Sequence, residues 1–255
     1  LDHQTSSYRS MVDCLKFRDT WLISLLYIGT FGSFIGFSFA FSQVLQISFK
    51  SAGSTNPALA AAQIAWIGPL LGSIARPYGG KLADRFGGGR ITTMCFGAMI
   101  AASAVLVAAG TIADGHAKHR IDSAQLTAFV AGFIVLFLVS GIANGSVYKM
   151  IPTVFEHKAR ARQSLSAMEK VIWSRKMSGA LIGIAGAVGA LGGVGINLVL
   201  RTSYKANQSA TAAFWVFLGF YVVAAAITWM FYARREIILH AHDARTALPT
   251  AAVPA

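Results

Sequence analysis

Apolar residues run in long blocks along this chain, separated by short polar segments that are mostly basic. A helix needs about 20 apolar residues to cross a bilayer. Six blocks reach that length: 21–49, 58–80, 91–113, 124–155, 178–200 and 210–233. None alternates apolar and polar positions with a period of two, which argues against a β-barrel. The pattern predicts an all-α membrane protein with six transmembrane helices. It divides the chain into a linker over 1–19, a bundle over 20–233 and a tail over 234–255. The tail is rich in small residues and proline, the composition of a disordered segment.

Composition agrees with the pattern. The 255 residues are 55% hydrophobic and 13% charged, and mean hydropathy is +0.57. Those values belong to a polytopic membrane protein. Many of the 25 glycines fall inside the apolar blocks. Membrane helices tolerate them because neighbouring helices re-satisfy the backbone.

A net charge of +12 suggests nucleic acid until its distribution is read. Arg9, Lys16, Arg18, Lys81, Arg85, Arg90, Lys158, Arg160, Arg162, Lys170, Arg175, Lys176, Arg234, Arg235 and Arg245 all fall on one side of a six-span topology. Only Lys50, Lys118, Arg120, Arg201 and Lys205 fall on the other. The positive-inside rule then places both termini in the cytoplasm, in a multi-pass protein of the inner membrane. The basic excess is topological and attracts anionic lipid; no nucleic-acid partner is expected.

Catalytic and metal chemistry find little support. Cys14 and Cys95 suggest neither a disulfide framework nor a metal site. His116, His119, His240 and His242 lie in polar segments without further ligands, where solvated histidine is the better reading. No Ser/His/Asp or Cys/His set survives on one side of the membrane. We expect no enzyme, no cofactor and no metal.

Arg76 changes the picture most. It is the only charge between Ala58 and Gly80. A guanidinium at mid-membrane depth costs about 2.5–3.5 kcal/mol on insertion scales. Gly68, Gly72, Arg76 and Gly80 recur every four residues and so share one helix face. Small residues mark the face that packs on other helices. Arg76 is thus expected to face protein or a water-filled cavity, where a fixed positive charge makes an anion site.

Other positions are candidates of lower specificity. Tyr27, Phe31, Phe34 and Ser38 form a stripe on the first span. Two of its rings could flank a planar ligand, although plain aromatic packing explains each ring alone. The fifth span carries Gly189, Gly192 and Gly193 among other glycines, ahead of Asn197. Close helix packing accounts for them, and an exposed backbone facing an anion is the alternative. In the fourth span Asn144 is an amide that needs partners. Lys149 either snorkels to the cytoplasmic side near Glu156 or sits at a gate on the exit path. No span holds Asp or Glu, which weakens proton coupling through these helices.

Between the second and third spans runs Gly80-Lys81-Leu82-Ala83-Asp84-Arg85-Phe86-Gly87-Gly88-Gly89-Arg90. Gly80 allows close helix approach, Gly87 permits a sharp turn, and Asp84 can cap a helix or pair with Arg85 or Arg90. The whole pattern resembles the major facilitator loop signature, G-x-L-A-D-R-x-G-x-x-R.

The resemblance extends further. Residues 21–27 and 30–38, Gly68-Pro69, Arg76-Pro77, Gly141-Ile142-Ala143-Asn144-Gly145-Ser146 and Ala187-Val188-Gly189-Ala190-Leu191-Gly192-Gly193 are similar to the C-terminal half of a nitrate/nitrite porter of the NarK type. What this implies is a secondary carrier working by alternating access, with nitrate and nitrite as substrates and exchange of one for the other. It implies two six-helix halves around a central pocket in which one buried arginine from each half holds the planar anion, Arg76 matching the second of them, with Tyr27 and Phe31 lining the pocket, Phe31 stacking on the solute, and residues 189–193 letting helices slide. Phe34, Asn144 and Lys149 are further pocket or gate positions. It also implies a partner: an N-terminal six-helix half, on the same or a separate chain. The opening at Leu1 reads like the middle of a longer protein. Asn197 stands near where the family often has proline at the end of the signature. The alternatives are nitrate–proton symport, transport of another small anion, and a non-transporting membrane anchor or assembly subunit.

Overall fold

A computed structural model describes residues 9–51, 53–115 and 123–234. Six helices are long and apolar enough to span a bilayer: α1 (Arg18–Lys50), α2 (Pro57–Phe86), α3 (Gly88–Asp114), α4 (Ser123–Arg160), α5 (Ala167–Asn207) and α6 (Thr211–Ala233). No strand occurs among the described residues. The helices overrun the apolar blocks. α5 has 41 residues, about 60 Å at helical rise, so it projects beyond a hydrocarbon core about 30 Å thick. The tail from 235 onwards and the histidines at 116, 119, 240 and 242 lie outside the described residues.

Local chemistry sets the helix ends. Asn56 Oδ1 accepts from the Leu59 N–H at 3.3 Å, and Pro57 follows at the first helical position. Both are favoured starts. At α5 the Ser166 hydroxyl accepts from the Glu169 N–H, while Glu169 accepts from the Ser166 N–H, a reciprocal cap. The stretch 156–177, read from the sequence as one connection, is divided: α4 continues to Arg160 and α5 begins at Ala167.

Three helices depart from α geometry. α2 breaks at Trp66, between Ala65 and Ile67. Pro69 lacks an N–H for the Ala65 carbonyl, and its ring crowds that carbonyl. α1 widens into a π turn over Ile28–Gly32, and α6 ends in another over Trp229–Ala233. Such turns gather at functional sites, and the one in α1 contains Phe31.

α2 and α3 are joined by Gly87 alone, at φ 92° and ψ 135°. That backbone conformation needs glycine. Gly88 and Gly89 already belong to α3, where Gly88 packs on Met150 and Gly89 on the Tyr232–Ala233 backbone.

α2 packs most extensively on α4, and the two run in the same direction with a fixed register. Gly68 meets Phe137, Gly72 meets Gly141, Arg76 meets Gly145 and Gly80 meets Lys149, each contact four residues after the last. A methyl on Gly79 would collide with the carbonyl oxygen of Ile142. The glycines bring the two backbones together as in small-residue membrane packing. On the other flank α5 lies against the π turn of α1.

α4 also packs on α3, which packs on α6. The Thr92 hydroxyl donates to Ser146 at 3.0 Å, and Ser146 donates to the Gly88 carbonyl at 2.9 Å. An aromatic core links α1, α4 and α6. Phe37 stands 5.6 Å from both Phe133 and Phe217, edge to face in each case. Geometries of that kind contribute about 0.5–1.5 kcal/mol each beyond burial.

Part of the N-terminal segment is built into the bundle. Residues 9–14 are helical. Cys14 is fully buried, with its sulfur 3.3 Å from Thr20 Oγ1 and 3.8 Å from the Met177 carbonyl on α5.

Candidate anion-binding site

The register of α2 on α4 fixes the position of Arg76. Its own backbone abuts Gly145, and its guanidinium lies beside α1. The guanidinium carbon is 4.3 Å from the Phe34 ring centroid and 5.2 Å from that of Phe31. Both distances fall within cation–π range. Arg76 Nε and Nη2 are buried and have no hydrogen-bond partner. Among the described residues no carboxylate pairs with Arg76. Buried polar groups are ordinarily bonded, so two idle N–H donors on one guanidinium form an open seat for an acceptor.

The aromatic stripe supplies the walls. Tyr27 is buried and stands 6.1 Å from Phe31 with the rings at 62°. Phe34 leans edge-on against Phe137 at 6.1 Å. Phe34 is therefore the ring nearer the guanidinium. Ser38 turns back on its own helix and donates to the Phe34 carbonyl at 2.7 Å.

The α5 glycines press on these same residues. A methyl at Gly189 would lie 3.1 Å from the Phe31 ring and 3.2 Å from the Tyr27 carbonyl oxygen. One at Gly192 would meet Ile28, and one at Gly193 would meet Ile35. Gly179, Gly186 and Gly195 have open space where a side chain would go. Asn197 donates to the carbonyls of Gly36 at 3.3 Å and Gly193 at 2.9 Å, tying the end of this stretch to α1.

Asn144 is buried, and its Nδ2 has no partner. Lys149 does not reach towards Glu156 along α4. Its ammonium is 2.9 Å from Asp84 Oδ2 across the α2–α4 seam. Asp84 thus has a cationic partner other than the neighbouring arginines the sequence suggested. Arg85 stacks on Phe86 at 5.1 Å, and Arg90 lies exposed in the first turn of α3.

Tyr148 is a residue that sequence reasoning passed over. It is half exposed and sits one turn beyond Asn144 on the same face. That spacing was the available signal. Cavities away from Arg76 also occur among the described residues. An apolar crevice of about 440 Å³ opens between α1, α5 and α6, with Ser33 and Tyr221 in its lining. A smaller one of about 150 Å³ sits near Asp114 and Ser209.

Comparison with known proteins now adds to this geometry. The model of the Major Facilitator Superfamily matches residues 5–173. The chain belongs to that superfamily. It is 33% identical over 239 residues to the nitrate/nitrite transporter NarU of Salmonella typhimurium, covering 91% of this chain and 47% of that protein. It is 34% identical over 224 residues to NarU of Escherichia coli, covering 85% and 44% respectively. A probable nitrate/nitrite antiporter of Thermus thermophilus, NarK2, is 29% identical over 231 residues, covering 90% and 45%. The chain spans about half the length of the curated relatives it matches. Within the superfamily its similarity is to the NarK type, and the six helices are consistent with half of a major facilitator fold.

Proposed function

We propose that this chain is the second six-helix half of a carrier that moves nitrate and nitrite across the inner membrane by alternating access. The observation that carries the reading is the Arg76 guanidinium, with two buried N–H donors unpaired and aromatic rings on its flank. A guanidinium presents its donors in a plane, as a fork that matches a flat oxyanion. Phe31, Phe34 and Tyr27 restrict the seat to a small, thin solute. The names of the relatives, nitrate/nitrite transporters and antiporters, support the choice of anion.

In this mechanism the anion binds at Arg76, and one half then rocks against the other. A second six-helix half completes the pocket. The basic end of the bundle, with the Gly87 link and the start of α1, faces the cytoplasm together with both termini. The glycines of α5 against the π turn of α1 form a seam of low side-chain volume along which helices slide. Among the described residues no Asp or Glu lies mid-span, which favours exchange of nitrate for nitrite over proton symport.

Counterflow tests the proposal. The chain is reconstituted in proteoliposomes together with a complementary N-terminal six-helix half, and the vesicles are loaded with nitrite. Nitrate entry driven by internal nitrite, insensitive to an imposed pH gradient, is the expected result. Transport of a different anion with no nitrate or nitrite flux would overturn the substrate. Flux that follows the pH gradient would overturn exchange.

A further inference from the structure

Asn144 Nδ2 is a third buried N–H donor without a partner, and its residue is 7% exposed. The remaining orphaned side-chain atoms among the described residues are serine hydroxyls. Among the described residues Asn144 and Arg76 are thus the two whose buried side-chain N–H groups lack a partner.

The helix register puts them at one depth. Gly145, the next residue, abuts the carbonyl of Arg76. On α4, Phe137, Gly141, Asn144 and Tyr148 follow at spacings of four, three and four, so they share a face. That face begins at the aromatic stripe of α1, where Phe137 packs on Phe34. Its next member, Gly141, abuts Gly72, which itself packs against the Phe34 ring. Asn144 follows one turn on, next to the Gly145 that abuts Arg76.

We infer that Asn144 is a substrate-contacting, specificity-determining residue, whose amide N–H donates to the oxygen of a trigonal oxyanion that the Arg76 fork leaves free. The assignment rests on the reading of Arg76 as the anion seat. Two oxygens of nitrate take Nε–H and Nη2–H of Arg76, which leaves a third oxygen. Nitrite has two oxygens, and the fork satisfies both. The amide then distinguishes the solutes: it strengthens nitrate more than nitrite. An amide suits the position because it donates without charge.

The test uses both halves together in proteoliposomes, with nitrate and nitrite as competing probes. Asn144→Ala is expected to weaken nitrate about tenfold or more and nitrite less than about threefold. Its melting midpoint without anion should stay near that of the parent. Equal loss for the two anions, or unchanged nitrate affinity, overturns the assignment while leaving the carrier reading intact. Asn144→Asp keeps the side-chain shape but exchanges the donor for an acceptor, so nitrate flux should vanish. Flux at the parental rate in that variant also overturns the assignment. A parent protein that moves neither anion overturns the underlying reading, and this assignment with it.

Discussion

The Asp84 carboxylate accepts from the Lys149 ammonium at 2.9 Å, joining the last turn of α2 to α4 beyond the final glycine of their seam. Both side chains are about half exposed. Pairs of that exposure contribute about 0.2–1 kcal/mol. Lys149→Met should therefore change the melting midpoint little. A functional role shows in reversal: Asp84→Lys and Lys149→Asp should each slow transport, and the double variant should recover it. Single variants that transport at the parental rate would reduce the pair to a surface contact.

Arg76 offers a sharper outcome. Arg76→Lys keeps the charge and loses the planar fork. Anion affinity should fall about tenfold to a hundredfold, the range expected when a hydrogen bond to a charged group is lost. Nitrate-induced stabilisation in detergent reads this directly. Undiminished stabilisation would mean that charge alone holds the anion.

Paired glycine substitutions test the helix register. Gly79→Ala drives a methyl into the Ile142 carbonyl, whereas Gly186→Ala meets nothing within 4 Å. Overpacking of the first kind costs about 1–3 kcal/mol. Gly79→Ala should lower the yield of folded protein and its melting midpoint, while Gly186→Ala stays near the parent. Equal behaviour of the two would place the α2–α4 contact elsewhere.

Ser33 and Tyr221 form a buried hydroxyl pair at 2.7 Å between α1 and α6. Tyr221→Phe strands the Ser33 hydroxyl at an expected cost of about 1–2 kcal/mol. Thermal unfolding of the variant in detergent checks it. The double variant with Ser33→Ala should recover part of the loss, because both partners are then apolar.

Much of this architecture was legible in the residues. Block lengths showed the six spans, and the spacing of Gly68, Gly72, Arg76 and Gly80 showed a single small-residue face with one charge upon it. What α2 packs against was not legible. Four-residue spacing names a face but no neighbour, and the match to Phe137, Gly141, Gly145 and Lys149 appears only in three dimensions. The order of the rings escaped for a related reason. Phe31 and Phe34 are one turn apart on the same stripe, and the depth of α1 against α2 decides that Phe34 lies closer to the guanidinium. The Lys149 contact with Asp84 was not legible either, because it crosses from α4 to α2 and linear spacing cannot show it. The break at Trp66 had its signal in Pro69, four residues on.

The single glycine between α2 and α3 has a mechanical consequence. One residue cannot lengthen, so neither helix can travel along its own axis without pulling the other. Any rearrangement at that end must carry the two as one lever, with Gly87 as the pivot and the guanidinium about three turns up one arm. A small rotation at the pivot is thereby converted into lateral travel of the charge.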